Sequence, residues 1–263
     1  MASVELLSAA RPTSTARRLL KRFACAVRAA GDSLIETSRY RGGCDWLVLF
    51  GIGDSRHDAA RRHQIAQGGR VLHWDLGYTG LRKGEGHLRM CIDSDHPQDW
   101  LNRTPLEPSR WDALGLSMRD DGDASGPVIL VGLGKKSRSY LNAAQWEARK
   151  LKALQKRFPS RRIVFRPKGD EKLQLPCESD SRELIAEVLQ GASLVVCRHS
   201  NVAVDATIAG VPFEAEDGAA MWLQAREFSA ANRLEFLQRL AWWQWRADEA
   251  AEAWAFAKRM AST

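Results

Sequence analysis

The apolar run 193–197 passes directly into Arg198, His199, Ser200 and Asn201, and then into a helical stretch that begins at Val202. A strand that opens at once into a polar turn and a helix presents free backbone amides, backed by the helix dipole, to whatever lies at the turn. The ligand suited to that arrangement is a phosphate or diphosphate. Ser200 or Asn201 acting simply as an N-cap accounts for the same residues. The preceding strand, 162–165, ends in Arg166-Pro167-Lys168-Gly169, so two consecutive strands deliver cationic or anion-binding groups to one sheet edge. Open α/β sheets bind their ligands at that edge. One strand later Glu214 and Glu216 supply carboxylates of the kind that accept hydrogen bonds from a ribose. Asp205 sits inside the helix and braces the turn. Gly132-Leu133-Gly134-Lys135-Lys136 brings further backbone amides and Lys135 to the cleft, although it lacks the third glycine of a dinucleotide fingerprint and the spacing of a P-loop.

The elements that must hold these groups alternate. Residues 46–50 (W-L-V-L-F) read as a buried strand running into Gly51-Ile52-Gly53-Asp54, residues 57–67 as a helix, and residues 71–74 as a second strand, together one βαβ unit. Residues 78–126 show no clear period. The polar, turn-rich stretch 119–127 is expected to be a linker. Past it come strand 127–131, a helix whose apolar stripe is Leu141, Ala144, Ala148, Leu151, Leu154 and Phe158, strand 162–165, helix 183–190, strand 193–197, helix 202–209 and a short strand at 211–214. The stripe leaves Arg149, Lys150, Lys152 and Lys156 on the opposite face. Residues 230–260 are helical by composition and carry Trp242, Trp243, Trp245 and Trp254, which need a surface to bury them.

With 263 residues the chain is long enough for two compact α/β lobes. Apolar residues make up 44% and charged residues 27%, an ordinary globular balance, and no run approaches the ~18 apolar residues of a membrane span. A soluble, cytoplasmic protein is expected. Its five cysteines contain no C-x-x-C pair, which argues against a zinc site and against a disulfide framework. Lys and Arg number 39 against 32 Asp and Glu, a net charge of +7 that favours a polyanionic partner. Residues 17–23 read as a basic amphipathic helix.

The series F-R-P-K-G, then R-H-S-N-V-A-V-D-A-T-I-A-G-V-P, then E-A-E-D-G-A-A resembles the donor half of nucleotide-sugar glycosyltransferases of the GT-B type. It is most similar to bacterial and phage-encoded members. The likeness covers roughly residues 127–222 and is fainter over 47–100; the ending L-A-W-W-Q-W is also similar to that group. The resemblance implies an α/β, GT-B-like fold, in which two Rossmann-like lobes face a cleft and a C-terminal helix crosses back to the first lobe. The expected division is 1–122 (acceptor lobe), 123–229 (donor lobe) and 230–263 (terminal helical segment). By position it implies that Arg166, Lys168, His199, Ser200, Asn201 and Glu216 hold the donor, a UDP-sugar. Gly134 and Lys135 join these donor-binding candidates from the glycine turn at 132–136, not from the resemblance. Related enzymes often carry His where Lys168 stands.

Transfer of a sugar needs a base for the acceptor hydroxyl and positive charge or helix amides for the leaving diphosphate. Asp75, after the strand 71–74, leads as base, with Asp54 and His57 as competitors on the loop after strand 46–50. Each also serves as a cap or loop residue. Neither D-x-D triplet, Asp93-Ser94-Asp95 or Asp121-Gly122-Asp123, directly follows an apolar strand, so both read as turns and no obligatory metal is expected. The basic residues Arg17 to Arg22, Arg61, Arg62, Arg70 and the 149–156 face suit a DNA backbone. With the resemblance to phage DNA glycosyltransferases, they point to double-stranded DNA carrying hydroxymethylpyrimidine as acceptor, reached by base flipping. The rival readings are a glycosyltransferase of surface polysaccharide or lipid-linked glycan, and a non-catalytic nucleic-acid-binding protein.

Overall fold

The structure, a computed structural model, describes residues 1–9, 12–51, 55–79, 86–168, 173–182, 185–199 and 201–262. Along the chain run β1 (Ser3–Leu7), α1 (Ser14–Ala29), β2 (Ser33–Thr37), β3 (Trp46–Phe50), α2 (Ser55–Ala66), β4 (Arg70–Leu76) and β5 (Leu88–Ile92). Then follow α3 (Ser109–Asp112), β6 (Val128–Val131), α4 (Lys135–Tyr140), α5 (Trp146–Arg157), β7 (Ile163–Arg166), β8 (Glu178–Ser179), α6 (Ile185–Leu189), β9 (Leu194–Cys197), α7 (Val202–Ala209), β10 (Phe213–Ala215), α8 (Met221–Gln224), α9 (Ala230–Ala241), β11 (Gln244–Trp245) and α10 (Ala250–Ala261). They form two compact units, Met1–Pro105 with Arg239–Thr263, and Leu106–Gln238. No described helix is long and apolar enough to cross a membrane.

The first unit holds a six-stranded sheet in the order β11-β5-β4-β3-β1-β2, parallel from β2 through β4 and antiparallel at β5 and β11. From β1 the chain goes to β2 on one side and then to β3 on the other, so the winding reverses between β1 and β3. β3 is apolar throughout because both faces of a parallel strand are covered. In α1, Leu19, Leu20, Phe23 and Val27 are buried while Arg17, Lys21, Arg22 and Arg28 are exposed.

Besides the short β11, three strands of this sheet, β1, β2 and β5, escape the apolar-run criterion. β1 carries a buried Glu5 whose carboxylate accepts the amides of Arg41 at 2.7 Å and Gly42 at 3.1 Å. β5 carries Arg89, buried beside Asp75 of β4 at 3.0 Å. β2 is an edge strand and half exposed. Burial of a charge depends on a partner distant in sequence, so no local pattern announces it.

The segment 230–260 is two helices with β11 between them, paired to β5. Trp243, Trp245 and Trp254 are core: Trp254 packs edge-on against Phe23 and Trp46, with centroids 5.6 and 5.1 Å away, while the partly buried Trp242 stacks on Phe256. Trp254 Nε1 donates to Asp32 Oδ2 at 2.8 Å.

The second unit is an all-parallel sheet in the order β10-β9-β6-β7-β8. The single helix expected over 141–158 is instead α4 and α5, broken where Asn142 (φ 47°) and Gln145 (φ 60°) adopt left-handed backbone. The break turns Trp146 and Glu147 inward and leaves Ala144 exposed. Trp146, Leu151 and Leu154 then pack with Val128, Leu130, Phe165 and Val196. The polar stretch read as a linker is part of this unit, and the division falls ahead of it. The amides of Arg119, Asp121 and Asp123 donate to the carbonyls of Ile208, Ala209 and Ala192. The buried Arg233 guanidinium locks the same strip, donating to Thr207 O, Arg119 O and Asp120 Oδ1.

Candidate functional site

Because β7, β6, β9 and β10 are parallel neighbours, their carboxyl ends lie along one edge of the second sheet. That edge carries Arg166 and Lys168, Gly134 and Lys135, His199 and Asn201, and Glu216. Ser200 lies outside the described residues.

Gly132 and Gly134 differ in what they do. A Cβ on Gly132 would stand 3.0 Å from the Phe165 ring, whereas a Cβ on Gly134 would meet nothing within 4 Å. Gly132 is therefore a packing glycine, and Gly134 borders open space ahead of the exposed Lys135. The loop between them is clamped from beneath. Leu133 N and Arg138 Nη2 donate to the same oxygen of the buried Glu147, at 2.9 and 2.6 Å.

Arg166 is turned toward the strand at the sheet margin, where its guanidinium donates to the carbonyls of Asp180 and Arg182. It braces that loop. Lys168, two residues on, is exposed at the edge. Asn201 stands at the N-cap position of α7, but with helical backbone angles and no capping side-chain bond; its carbonyl takes the amides of Val204 and Asp205 instead. Capping therefore does not account for the Asn201 side chain.

Glu216 is the most structured residue of the edge. Its Oε1 lies 2.7 Å from Lys150 Nζ, its Oε2 accepts from Trp146 Nε1 at 2.9 Å, and Arg198 Nη1 stands 3.6 Å away. Partial burial works against ionisation, but the hydrogen bonds from Lys150 and Trp146 and the charges of Lys150 and Arg198 outweigh it, holding the carboxyl below its ordinary range. Glu214, also considered for a ribose, is paired with Arg157 of α5 at 2.5 Å. Sequence reasoning did not single out Trp146 and did not place Lys150 or Arg198 against Glu216. The available signal was their chemistry and spacing, since Trp146 and Lys150 are one helical turn apart and share a face.

In the first unit Asp75 is inside β4 rather than after it. Its Oδ2 pairs with Arg89 and its Oδ1 accepts the amide of Leu76. Asp54 lies outside the described residues. His57 is 3% exposed and lines a cavity of about 850 Å³ at the carboxyl ends of β1 and β2, with Ser8, Arg39, Tyr40, Arg41, Arg56 and His63 also in its wall. Arg56, His57 and His63 belong to α2, which follows β3, so the cavity also borders the carboxyl side of β3, and the winding of the sheet reverses between β1 and β3, the usual place for a ligand in an open α/β sheet. Asp93 and Asp95 are engaged by Arg70 at 2.7 Å and Arg61 at 2.5 Å. Contrary to the expectation that neither D-x-D triplet directly follows a strand, Asp93-Ser94-Asp95 comes immediately after the buried β5; Asp93 itself has left-handed backbone, as a turn residue does.

No family model matches the sequence, and no curated protein matches it. Solved structures do. The β-Kdo 2,4-transferase of Thermosulfurimonas dismutans KpsC is 11% identical, with a TM-score of 0.53 over 90% of each chain. The β-Kdo 2,7-transferase of the same protein is 14% identical, with a TM-score of 0.53 over 98% of this chain and all of that one. The chain shares their fold. At such identities the likeness concerns the path of the backbone, and the chemistry has to be argued from this chain's own residues.

Proposed function

We propose that the protein is a glycosyltransferase of the GT-B type that moves a sugar from a nucleotide-sugar donor to a glycan acceptor. The observation that carries this reading is the carboxyl edge of the second sheet, where four adjacent parallel strands end in Gly134-Lys135, Arg166-Pro167-Lys168, Arg198-His199 with Asn201, and Glu216. The fold shared with two Kdo transferases over nearly the whole chain supports it, and favours a glycan over DNA as acceptor.

In this reading Glu216, kept ionised by Lys150 and Trp146, accepts hydrogen bonds from the donor ribose. Lys135, Lys168 and the amides that open α7 stabilise the phosphate that leaves, each acting as the negative charge develops. The acceptor oxygen forms a bond to the anomeric carbon as the bond from that carbon to the phosphate oxygen breaks. The hydroxyl proton passes to a base, which we assign to His57 in the cavity of the first unit. UDP-sugars are the donors to test first.

DNA acceptance keeps one observation in its favour, the exposed Arg17, Lys21 and Arg22 on α1 in a chain of net charge +7. A single experiment separates the readings. The protein is incubated with a panel of UDP-, CMP-, GDP- and dTDP-sugars, with acidic and neutral oligosaccharides and with hydroxymethylated duplex DNA, and the products are weighed by mass spectrometry. A glycosyl mass gain on an oligosaccharide is expected. Gain on the DNA alone would move the acceptor to nucleic acid, and the absence of both transfer and nucleotide binding would remove the glycosyltransferase reading.

A further inference from the structure

The cavity of the first unit is lined by Arg39, Arg41, Arg56, His57 and His63, together with Ser8, Ser38 and Tyr40, and its described lining contains no carboxylate. Among the described residues, no acid pairs with the guanidinium of Arg39 or of Arg41, although ion pairs tie up many other arginines of the chain. Guanidinium groups gathered around one concavity focus a positive potential there, so the arrangement is suited to an anionic ligand.

The loop bearing Arg39 and Arg41 is built into place. The buried carboxylate of Glu5 accepts the amides of Arg41 and Gly42. Tyr40 donates its hydroxyl to Gln64 Oε1 of α2 at 2.7 Å and packs edge-on against His63. Gly42 and Gly43 both have left-handed backbone, with φ of 78° and 74°, which lets the loop fold back over β1. A loop held from two directions presents its guanidinium groups at little conformational cost on binding. Guanidinium groups match planar carboxylate and phosphate oxygens with paired hydrogen bonds.

We infer that this cavity binds a ligand through a carboxylate or phosphate group, and that the acceptor glycan of the proposed reaction is an acidic one held here by Arg39 and Arg41. The second half of the inference rests on the glycosyltransferase reading; the first half does not.

The test is calorimetric titration of the full chain with glucuronate, inorganic phosphate and glucose, repeated with the variant R39A/R41A and with R17A as a charge control. Circular dichroism on each variant checks that it is folded; both loop arginines are exposed, so the fold is expected to persist. At least one of the anions is expected to bind and glucose is not. The double variant is expected to weaken that binding at least tenfold and R17A to leave it unchanged. The anion that binds more tightly identifies the group recognised. Absence of anion binding would overturn the inference, as would binding that the folded double variant retains, or equal binding of glucose. A short DNA duplex that displaces the anion and loses affinity in R39A/R41A would also overturn it, assigning the cavity to nucleic acid. Titration with the nucleotides in parallel keeps the two claims apart. Anion binding without nucleotide binding or transfer sustains the cavity and removes the transferase, whereas nucleotide binding without anion binding sustains the transferase and removes the cavity.

Discussion

Lys150 Nζ of α5 and Glu216 Oε1, just past β10, lie 2.7 Å apart, and Trp146 one turn earlier on α5 holds the other carboxylate oxygen. This contact joins a helix that sequence periodicity assigns to solvent on its charged side with the carboxylate that best suits a ribose. It makes the orientation of Glu216 a property of α5.

The first prediction concerns pH. Because its pKa is depressed, Glu216 gives up its charge at lower pH than an unperturbed carboxylate, so nucleotide affinity is expected to be level around neutral pH and its acid limb to lie below that of an ordinary glutamate. Lys150→Ala removes one charged hydrogen bond to the carboxylate. Affinity at pH 7 is expected to drop about fivefold, equivalent to roughly 1 kcal/mol, and the acid limb to move upward toward the usual carboxylate value. Titrations across pH 3–7 check this, and an acid limb that does not move in the variant would refute it.

His57 and Asp75 are expected to fail differently. His57→Gln leaves the size of the side chain nearly intact but removes the base, so transfer should fall about a hundredfold or more while nucleotide affinity is preserved. Asp75→Asn leaves the buried Arg89 without its partner carboxylate at 3.0 Å, and the expected result is a loss of stability of about 3 kcal/mol. Turnover measured beside chemical denaturation distinguishes the two. If Asp75→Asn abolished transfer in a fully stable protein, the base would be Asp75 instead.

Asp32 supplies a pH-dependent part of the stability. Burial raises its pKa, but the amide of Ala2, Lys258 and Trp254 together bring it down from 3.8 to about 2. A carboxyl whose folded pKa is depressed stabilises the fold above the unfolded value and loses that contribution as pH falls through the folded one. The contribution is about 2 kcal/mol, complete above roughly pH 4.5 and gone below about pH 2. In urea denaturation Asp32→Asn should cost about that much at pH 7 and progressively less between pH 4 and pH 2. A cost independent of pH would show that packing around Trp254, rather than ionisation, is what the substitution disturbs.

Gly210 closes α7 with φ of 75°, and a Cβ there would stand 2.5 Å from the carbonyl oxygen of Arg119. Gly210→Ala is therefore expected to cost about 2 kcal/mol or more, from left-handed backbone and a clash with main chain that has no room to yield. Arg233→Met removes the guanidinium that ties Arg119 and Asp120 to Thr207, and should destabilise by about 3 kcal/mol. Thermal denaturation of each single variant and of the double variant measures this. Because both act on the same strip, the double variant should lose less than the sum, and simple additivity would argue against a shared strip.

The parts of this protein legible in its sequence are those where the cause is local. The strands at 46–50, 128–131 and 194–197 are uninterrupted apolar runs, and a parallel strand covered on both faces needs nothing more to be recognised. The turn after β9 was legible for the same reason, with Arg198, His199 and Asn201 lying between a strand and a helix. The alternation of such runs with helices implies an α/β protein, and the ends of four of them share an edge once the sheet is parallel.

What the tertiary structure alone decided are the pairings. Glu5 and Arg89 hide two strands from any apolar pattern, because a charge can be buried only opposite a partner, and those partners, the Arg41 and Gly42 amides and Asp75, come from other elements. The break between α4 and α5 turned Trp146 inward and brought Lys150 to Glu216, although helical periodicity carried straight through 141–158. Arg166 followed its strand to the expected edge, yet its guanidinium went to the carbonyls of Asp180 and Arg182. Residue types and spacing determine which groups reach an edge of a sheet. Where each side chain then points depends on which acceptors and donors the rest of the chain leaves within a few ångströms, and that is settled only when distant segments pack.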